Sequence, residues 1–598
     1  MKLLRTLCVM AAFAMLPLSS CQPEQSALVS DVAVSVGEKQ VTFRGATVTV
    51  SFSTPYAWTA RLDLKNGEGE WAAIRSNTLS GEAKNGALVR ISFEENNSAD
   101  ERVCELWLAL DGHGEECICT LTQAASSSAA DAAISQYLNT YMHEILKKDY
   151  LFDDAYNALD VDLTVSYQDF LSTHLLALGE VNEADGGYNK ETGDRYIYTN
   201  IAEVQIGTKA IETGGFGFGP FISTALSDGS TDMGIAPAYV RRGSPAAAAG
   251  LRRGDLIFGV NGQKLTTNNY RTYMTTLYQG TSGSYTFDFM RLEDNDGMYG
   301  WNQYKSSAVT AAAHVYDPVL HQSILTDPDN SATKIGYLVY ESFDLNSQEF
   351  LQDAIDQFVS AGITDMILDL RFNAGGAVAQ SRWLSGCIAG EENGSKTFTK
   401  VVYNDGSMEN WKFDYGYTND TDNLGKPVDL GLDRLYVICS YNTASAAELV
   451  INSLRGIDFP VKLYGCRTEG KNVGMTVSTT TYKNRSFEFA PITFYVRNAK
   501  DFGDYPNGIE PDEWVNNDNR LTTDDADNAF PYSFADWGNL DFNIALQWAY
   551  CDITGKARWN TNSTTRSSSG ESLVPADFGQ YESAYGRSGN MIRPFDNH

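Results

Sequence analysis

The chain has 598 residues, of which 43% are hydrophobic and 20% are charged, and its formal net charge is −31. A chain of this length is expected to form roughly three to five domains, with ample apolar material for their cores. The acidic balance argues against a nucleic-acid partner and against docking on an anionic membrane surface, because both need a cationic face. Only six His are present, which leaves little material for a histidine-based metal site or catalytic triad.

The N-terminus has the pattern of an export sequence. Two cations precede an apolar run over residues 7–18, which indicates a signal peptide too short to span a membrane. The run ends in Leu-Ser-Ser-Cys, which resembles the lipobox of bacterial lipoproteins. The resemblance implies a signal peptide at 1–20, acylation of Cys21, a tether at 21–28 and a lipid-anchored place in the cell envelope, on the periplasmic or the outer surface. The lipid bilayer would be contacted only through Cys21. The alternative is an ordinary signal peptide with an incidental cysteine.

Seven cysteines remain after those at positions 8 and 21. An odd, scattered set is a poor disulfide framework, although one local bridge near Cys104 stays open. Cys117 and Cys119 lack the second Cys or His pair that zinc coordination needs. We therefore predict no metal site, and no cofactor is implied.

Residues 29–124 consist of short alternating runs broken by turns. Six or seven strands within about ninety residues predict a small β-sandwich. The position of Trp58 after Thr-Pro-Tyr-Ala, together with a last strand that ends in Thr-Gln-Ala at residue 124, resembles the BACON-type immunoglobulin-like modules. The resemblance implies contact with carbohydrate or mucin. The alternative, favoured because no aromatic platform can be identified, is a spacer that carries no ligand.

The hydrophobic pattern changes after the sandwich. Apolar residues at helical spacing predict helices over residues 125–199. Residues 200–298 return to short strands with one helix. Strands then alternate with helices over residues 299–555, which indicates an α/β fold and includes a last helix at 539–550. A tail rich in Ser, Gly and Asn over residues 556–598 is predicted to be flexible.

The strand-rich part begins with Gly214-Gly-Phe-Gly-Phe-Gly219 and continues with Gly243-Ser-Pro and Gly254-Asp. A phosphate loop would need Lys-Ser/Thr after its glycines, and none is present. The complete order closely resembles a PDZ domain, in which such a loop offers backbone N–H groups to a terminal carboxylate while the peptide adds as a strand. The resemblance implies that Phe216, Gly217 and Phe218 hold the carboxylate. The alternative is a PDZ module that serves only as an internal brace.

Hydrolytic chemistry of the histidine type is disfavoured by elimination. There is no Gly-x-Ser-x-Gly motif, and no His occurs between His321 and His598. A Ser-His-Asp triad in the α/β part would therefore lack its base.

Three motifs follow one another in the α/β part: Asp369-Leu-Arg-Phe-Asn-Ala-Gly-Gly376, Asn442-Thr-Ala-Ser-Ala-Ala-Glu-Leu449 and Gly465-Cys-Arg-Thr-Glu-Gly-Lys-Asn-Val-Gly474. Each alone fits a glycine turn, a capped helix or a surface loop. All three in this order resemble the tail-specific, or C-terminal processing, serine peptidases. The resemblance covers about residues 130–550. The whole chain is thus predicted as a multidomain protein with an N-terminal β-sandwich, a helical segment, a PDZ-like β/α module and an α/β peptidase core.

The resemblance also implies roles for individual residues. Ser445 would be the nucleophile and Lys471 the general base. The N–H of Ala446 would stabilise the oxyanion together with an N–H at Gly375 or Gly376. Such a lysine must have its pKa lowered by roughly 2–3 units from about 10.4, and desolvation is the available cause.

One glutamate and one departure complete the expected site. Glu448, one helical turn after Ser445, would orient the Lys471 ammonium or accept from the serine. Met475 stands where family members often have Gln, so Lys471 is expected to contact Glu448 or a backbone carbonyl instead; the alternative is lost activity. The predicted function is a lipid-anchored serine endopeptidase that cleaves polypeptides with PDZ-assisted binding of C-terminal segments. The alternative function is an inactive surface lipoprotein that binds glycan or peptide.

Overall fold

The computed structural model describes most of the chain between residues 33 and 558. The described ranges are 33–34, 38–42, 44–67, 69–75, 78–96, 101–124, 129–188, 195–204, 212–226, 230–295, 298–413, 424–482, 485–515, 537, 540 and 543–558. The predicted signal peptide, Cys21, the tether at 21–28 and the tail from residue 559 onward lie outside these ranges.

The first part of the described chain forms two β-sheets around one core. The strands are Ala33–Val34 (β1), Glu38–Val41 (β2), Ala46–Thr54 (β3), Trp58–Leu64 (β4), Ala72–Ile74 (β5), Ser80–Gly81 (β6), Lys84–Phe93 (β7), Arg102–Leu110 (β8) and Gly114–Gln123 (β9). The sheets have the orders β1-β3-β7-β5 and β2-β9-β8-β4-β6. Val50 of the first and Leu106 of the second belong to one hydrophobic cluster, as expected of a sandwich. Cys104 is a free thiol, so the local bridge left open there is not formed.

A helical part follows. It comprises the helices Ala129–Asp149 (α1), Asp153–Asn157 (α2) and Tyr167–Leu175 (α3), a 3-10 helix over Leu176–Asn182, and the strands Gly187–Tyr188 (β10), Arg195–Tyr196 (β11) and Asn200–Val204 (β12). The side chain of Ser166 caps α3 by accepting from the N–H of Asp169, which defines where the helix begins. Leu138 and Met142 of α1 pack in one cluster with Met475, so this part covers the segment that contains the predicted lysine loop.

The next part is a β-sheet with two helices. Its elements are Glu212–Thr213 (β13), Phe221–Ala225 (β14), Met233–Pro237 (β15), Pro245–Ala248 (α4), Leu256–Val260 (β16), Gln263–Lys264 (β17), Tyr270–Gln279 (α5), Ser284–Tyr285 (β18), Phe287–Asn295 (β19), Met298–Lys305 (β20), Val309–Thr310 (β21) and His314–Val315 (β22). The sheet has the order β14-β15-β16-β19-β20, with β17 beside β16.

The remaining elements form an α/β core. They are Val319–Asp327 (β23), Asn330–Tyr340 (β24), Gln348–Ala361 (α6), Asp365–Asp369 (β25), Val378–Ala389 (α7), Thr397–Tyr403 (β26), Met408–Lys412 (β27), Leu435–Cys439 (β28), Ala446–Gly456 (α8), Val461–Gly465 (β29), Val473–Met475 (β30), Ser478–Tyr482 (β31), Arg485–Ala490 (β32), Ile492–Arg497 (β33), Glu513–Trp514 (β34) and Ile544–Thr554 (α9). The central sheet has the order β23-β24-β25-β28-β29-β34. Its strands from β24 to β34 are parallel.

The two faces of this sheet bury different elements, because successive side chains of a strand point to opposite faces. Leu368 of β25 shares a cluster with Leu384 of α7 and other residues of the helices α6 to α8. Ile367, its neighbour, shares another cluster with Ala549 of α9 and Ile222 of β14. The sheet that contains β14 therefore packs on the core. Within the described ranges, no helix has the length and apolar character needed to cross a bilayer.

Three predicted boundaries differ from the structure. The strand β12, placed by the sequence at the start of the PDZ-like module, pairs instead with β32 of the core, from Asn200 opposite Ala490 to Val204 opposite Ser486. The hairpin of β19 and β20 runs to residue 305, beyond the predicted end at 298. The last helix begins at Ile544 rather than at 539, because the Asn543 side chain accepts from an N–H of its first turn.

The parallel strands place the three sequence motifs at one edge of the sheet. β25, β28 and β29 are neighbours, and each is followed by one motif. Because the carboxyl ends of parallel strands meet at the same edge, the loops that follow them converge there.

Candidate active site

The loops after β25 and β28 are fastened to each other by buried polar contacts. Arg371 is 2% exposed and pairs with Asp369, with 2.9 Å between Nη2 and Oδ2. The hydroxyl of Thr443 donates to the carbonyl of Leu370 at 2.8 Å, and that of Ser440 donates to the carbonyl of Arg371 at 2.6 Å. The first motif is thus held against the loop that leads to Ser445.

Asn373 sets the position of the glycine pair. Its Nδ2 donates to the carbonyl of Tyr340 at 3.1 Å, and its Oδ1 accepts from the N–H of Gly375 at 2.9 Å. Its carbonyl accepts from the N–H of Ala444 at 3.1 Å. Gly375 has a φ of +108°, and an added Cβ would lie 2.7 Å from the Cβ of Ser445. Only glycine fits this close approach.

Ser445 has an unusual backbone conformation just before α8. Its φ is 56° and its ψ is −119°, a region that non-glycine residues rarely occupy and that costs about 1–3 kcal/mol. It is 1% exposed. Its Oγ has no hydrogen-bond partner among the described residues. The serine is therefore held under backbone strain with its hydroxyl unengaged.

Glu448 joins the serine loop to the lysine loop. Its Oε2 accepts from the N–H of Ser445 and from that of Lys471, both at 2.9 Å. Its Oε1 accepts from the hydroxyl of Thr468 at 2.6 Å and from the N–H of Gly470 at 2.7 Å. Burial raises the pKa of Glu448 to about 7, although these hydrogen bonds lower it.

These contacts correct the role expected for Glu448. The sequence suggested a bond to the Lys471 ammonium or to the Ser445 hydroxyl. The structure instead engages both carboxylate oxygens with four donors, three of which are backbone N–H groups. Glu448 therefore positions the two loops and contacts neither reactive atom.

Lys471 is 6% exposed, and its Nζ faces a thioether and an aromatic ring. Its Nζ lies 3.8 Å from the Sδ of Met475 and 4.6 Å from the ring centroid of Tyr198. Burial lowers the pKa of Lys471 to about 8, against the opposing charges of Asp185, Glu448 and Glu469. The expected contact with the Glu448 carboxylate or a backbone carbonyl is replaced by the thioether. Ser445 Oγ and Lys471 Nζ are not hydrogen-bonded to each other; such bonds are often long before substrate binds.

The three predicted oxyanion donors are not equivalent. The N–H of Gly375 already donates to Asn373. The neighbouring bonds with Phe343 use the carbonyl of Gly375 and the N–H of Ala377, which leaves the N–H of Gly376 pointing away from that strand. The N–H of Ala446 belongs to the first turn of α8, where amides have no partner within the helix. Gly376 and Ala446 are therefore the better-placed pair of donors.

The part of the chain that contains this cluster is similar to known proteins. Residues 334–515, which include all three motifs, match the model of peptidase family S41, and residues 238–274 match a PDZ domain. The chain is 26% identical over 288 residues to the chloroplastic carboxyl-terminal-processing peptidase 1 of Arabidopsis thaliana, covering 48% of this chain and 53% of that protein. It is 29% identical over 236 residues to the carboxy-terminal processing protease CtpA of Bacillus subtilis, covering 39% and 44%. The chain has homologues among the C-terminal processing peptidases.

The extent of these matches is limited. The chain spans about half the length of the curated relatives that it matches. A Bacteroides fragilis protein assigned to the S41 proteases aligns with a TM-score of 0.55 and 21% identity, covering 69% of this chain and 97% of that one. This likeness supports the fold alone.

The PDZ loop predicted to bind a carboxylate lies outside the Ser445 cluster. The side chains of Phe216 and Phe218 are buried in the module core, so only their backbone can face a ligand. The bonds that flank Phe218, from Gly219 N–H to Tyr239 O and from Arg241 N–H to Gly217 O, are each 2.8 Å. In this antiparallel pattern the N–H of Phe218 points away from the neighbouring strand, as a carboxylate-binding amide must.

Sequence reasoning missed the groups that cover Lys471. Tyr198 presents its ring to Nζ, and its hydroxyl donates to Glu469 at 3.4 Å. Tyr196 also donates to that carboxylate. The buried Asp185 accepts from the N–H of Tyr198 at 3.0 Å and from the hydroxyl of Tyr150 at 2.7 Å. The tyrosines and Asp185 come from the helical part, about 270 to 320 positions before the lysine, and no local motif indicates them.

Proposed function

We propose that the chain is a serine endopeptidase of the C-terminal processing type, with Ser445 as nucleophile and Lys471 as general base. One observation supports this most strongly. A single buried carboxylate oxygen of Glu448 accepts from the N–H groups of both Ser445 and Lys471, in a cluster where the serine is strained and the pKa of the lysine is lowered to about 8.

The lowered pKa supplies the base. With a pKa of about 8, roughly one Lys471 in ten is neutral at pH 7, against about one in a few thousand at the ordinary value. The neutral Nζ takes the proton of Ser445 Oγ while Oγ attacks the peptide carbonyl carbon. The N–H groups of Ala446 and Gly376 stabilise the resulting oxyanion. The Lys471 ammonium then protonates the leaving amine, and the free base activates the water that hydrolyses the acyl-enzyme.

The PDZ module would present the substrate. Its strand β14 is at the edge of the sheet in the order β14-β15-β16-β19-β20, so an extended peptide can add beside it. The backbone N–H groups at Phe216, Gly217 and Phe218 would receive the terminal carboxylate. A polypeptide with an unstructured C-terminal segment is therefore the proposed substrate.

The proposed location rests on the sequence alone. Acylation of Cys21 would hold the protein at the cell envelope, and the sandwich would act as a spacer or contact glycan. Incorporation of labelled palmitate that Cys21→Ser abolishes would support the anchor, whereas equal incorporation in the variant would refute it.

The test of the activity uses the full chain and a denatured protein substrate. Ser445→Ala and Lys471→Ala should each lower cleavage by about a thousandfold or more. Ser407→Ala and Lys396→Ala, at exposed positions, are matched controls that should cleave normally. Ser445 should also react with a fluorophosphonate. Equal cleavage in either active-site variant would refute the dyad, and a wild-type protein that binds peptide without cleavage or labelling would favour the binding lipoprotein.

A further inference from the structure

The ammonium of Lys471 lacks an oxygen acceptor among the residues that the structure describes. Its Nζ is in contact with the Met475 sulfur and the Tyr198 ring. A thioether is a weak acceptor, and a ring face attracts a cation less strongly than a hydrogen-bonded oxygen does. The charged ammonium, which has three N–H donors, gains little stabilisation from these neighbours. The neutral amine leaves fewer donors without an acceptor.

The position of Met475 follows from an irregularity in the strand pairing. β30 pairs with β33 so that Gly474 lies opposite Phe494 and Met475 opposite Ile492, which leaves Thr493 without a partner residue. Such a bulge turns the side chains beside it and is frequent next to active sites. Met475 is 1% exposed and sits four residues after Lys471, inside the apolar cluster formed with α1.

Within the described residues, the three carboxylates that act on Lys471 are all hydrogen-bonded to other groups. Glu448 accepts four hydrogen bonds from the two loops. Asp185 accepts from Tyr150 and from the N–H groups of Tyr198 and Thr199. Glu469 accepts from Tyr196 and Tyr198. These carboxylates attract the ammonium at a distance but do not contact it.

We propose that Met475 and Tyr198 form an acceptor-poor cradle that favours the neutral amine of Lys471, with Met475 as the positioning residue that sets the pH at which Ser445 becomes nucleophilic. The proposal rests on the proposed function for its consequence in catalysis. The protonation of Lys471 itself can be measured even if the protein shows no activity. Met475 therefore has a role in the reactivity of the site.

The decisive variant is Met475→Gln, which adds an oxygen acceptor within reach of Nζ. The rate of fluorophosphonate labelling of Ser445 is measured between pH 6 and pH 10. Wild-type labelling should rise with pH through a midpoint near the pKa of about 8. A new charge-assisted hydrogen bond stabilises the ammonium, so Met475→Gln should raise the midpoint by about one unit and slow labelling about tenfold at pH 7. The rate should recover by pH 10, which a merely damaged site would not do.

Met475→Leu is the matched control, because it removes the sulfur without adding an acceptor and its midpoint should not rise. An unchanged or lower midpoint in Met475→Gln, or faster labelling at pH 7, would overturn the proposal. The pKa of Lys471 is also read from the ε-carbon resonance of labelled lysine, assigned by its loss in Lys471→Arg. A higher value in Met475→Gln supports the cradle even if Ser445 never reacts, and an equal value refutes it. Failure of labelling alone counts against the proposed peptidase.

Discussion

The loop around Ser445 and the loop around Gly217 have a similar construction and differ at their serines in backbone conformation and in hydrogen bonding. In each, a glycine with positive φ packs against a serine that precedes a helix: an added Cβ would lie 2.7 Å from the Cβ of Ser445 at Gly375, and 2.0 Å from the Cβ of Ser244 at Gly217. Ser244 has an ordinary φ of −76°, and its Oγ caps α4 by accepting from the N–H of Ala247. Ser445 has a φ of 56°, and its Oγ forms no cap hydrogen bond among the described residues.

This difference is what we expect between a serine that caps a helix and the proposed nucleophile. A hydroxyl that caps a helix is used in the resting protein and gains stability from it. A hydroxyl that is buried, unpaired and held on strained backbone contributes nothing to stability, and such strain clusters at functional sites. In both loops the glycine lies beside the backbone amides that we propose bind negative charge.

The largest expected effect comes from closing the contact beside Ser445. Gly375→Ala places a methyl group 2.7 Å from the Cβ of Ser445 and 3.0 Å from the carbonyl of Ala444, at a φ that alanine adopts poorly. The displaced loop should misplace the oxyanion donors, and we expect kcat to fall by about 10²–10³-fold. Steady-state cleavage of an unstructured peptide measures this.

The control for Gly375→Ala is Gly431→Ala, which also places alanine at a positive φ, here the milder +64°, but with no described atom within 4 Å of the added methyl. It should cost stability and leave kcat unchanged. If both variants lose kcat alike, backbone strain alone explains the loss, and the close approach to Ser445 has no special role.

The second effect tests the other loop. In Gly217→Ala the added methyl would collide with Ser244, 2.0 Å from its Cβ and 2.4 Å from its Oγ. The carboxylate-binding amides should be displaced, so KM for a peptide with a free C-terminus should rise about tenfold or more. Fluorophosphonate labelling of Ser445 should stay near the wild-type rate, since the two loops are separate.

Two controls sharpen this result. Gly250→Ala lies in the same module, has a φ of +81° and meets no atom within 4 Å, so its KM should stay near that of the wild type. A peptide amide should bind the wild-type protein as weakly as the free acid binds Gly217→Ala. Equal KM for acid and amide in the wild type would contradict carboxylate recognition.

The sequence could predict those parts of the site in which the candidate reactive residues lie in short continuous motifs. The residues of the Ser445 motif are continuous in the chain, and so are those of the Lys471 motif. Each motif follows a strand, so parallel pairing of the strands is enough to bring the two motifs together. Part of the role of Glu448 follows from its place three residues after Ser445, because a glutamate at this position of a capped helix accepts from the N–H of the capping residue. Its remaining donors, among them Thr468 and Gly470, come from another strand's loop.

The residues that cover Lys471 could not be predicted from the sequence, for a different reason. Tyr198 and Asp185 lie in a part whose apolar spacing predicts helices but not their partners. The sequence of the strand Asn200–Val204 does not specify its partner, and its pairing with Arg485–Ala490 is decided by tertiary packing. Burial around the lysine, which lowers its pKa, is therefore a property of the assembled chain.

The smallest expected effects are changes in the free energy of unfolding. They distinguish the two serines most directly, because they have opposite signs. Ser445→Gly removes a strained side chain that makes no hydrogen bond, and should raise the free energy of unfolding of the core by about 1 kcal/mol while abolishing fluorophosphonate labelling. Ser244→Ala removes a helix cap and should lower that of the PDZ module by about 1 kcal/mol with labelling unchanged. Urea unfolding of the full chain, followed by hydrogen exchange in each part, measures both. A loss of stability in Ser445→Gly would mean that its hydroxyl is engaged in the resting protein, and the distinction between the two loops would fail.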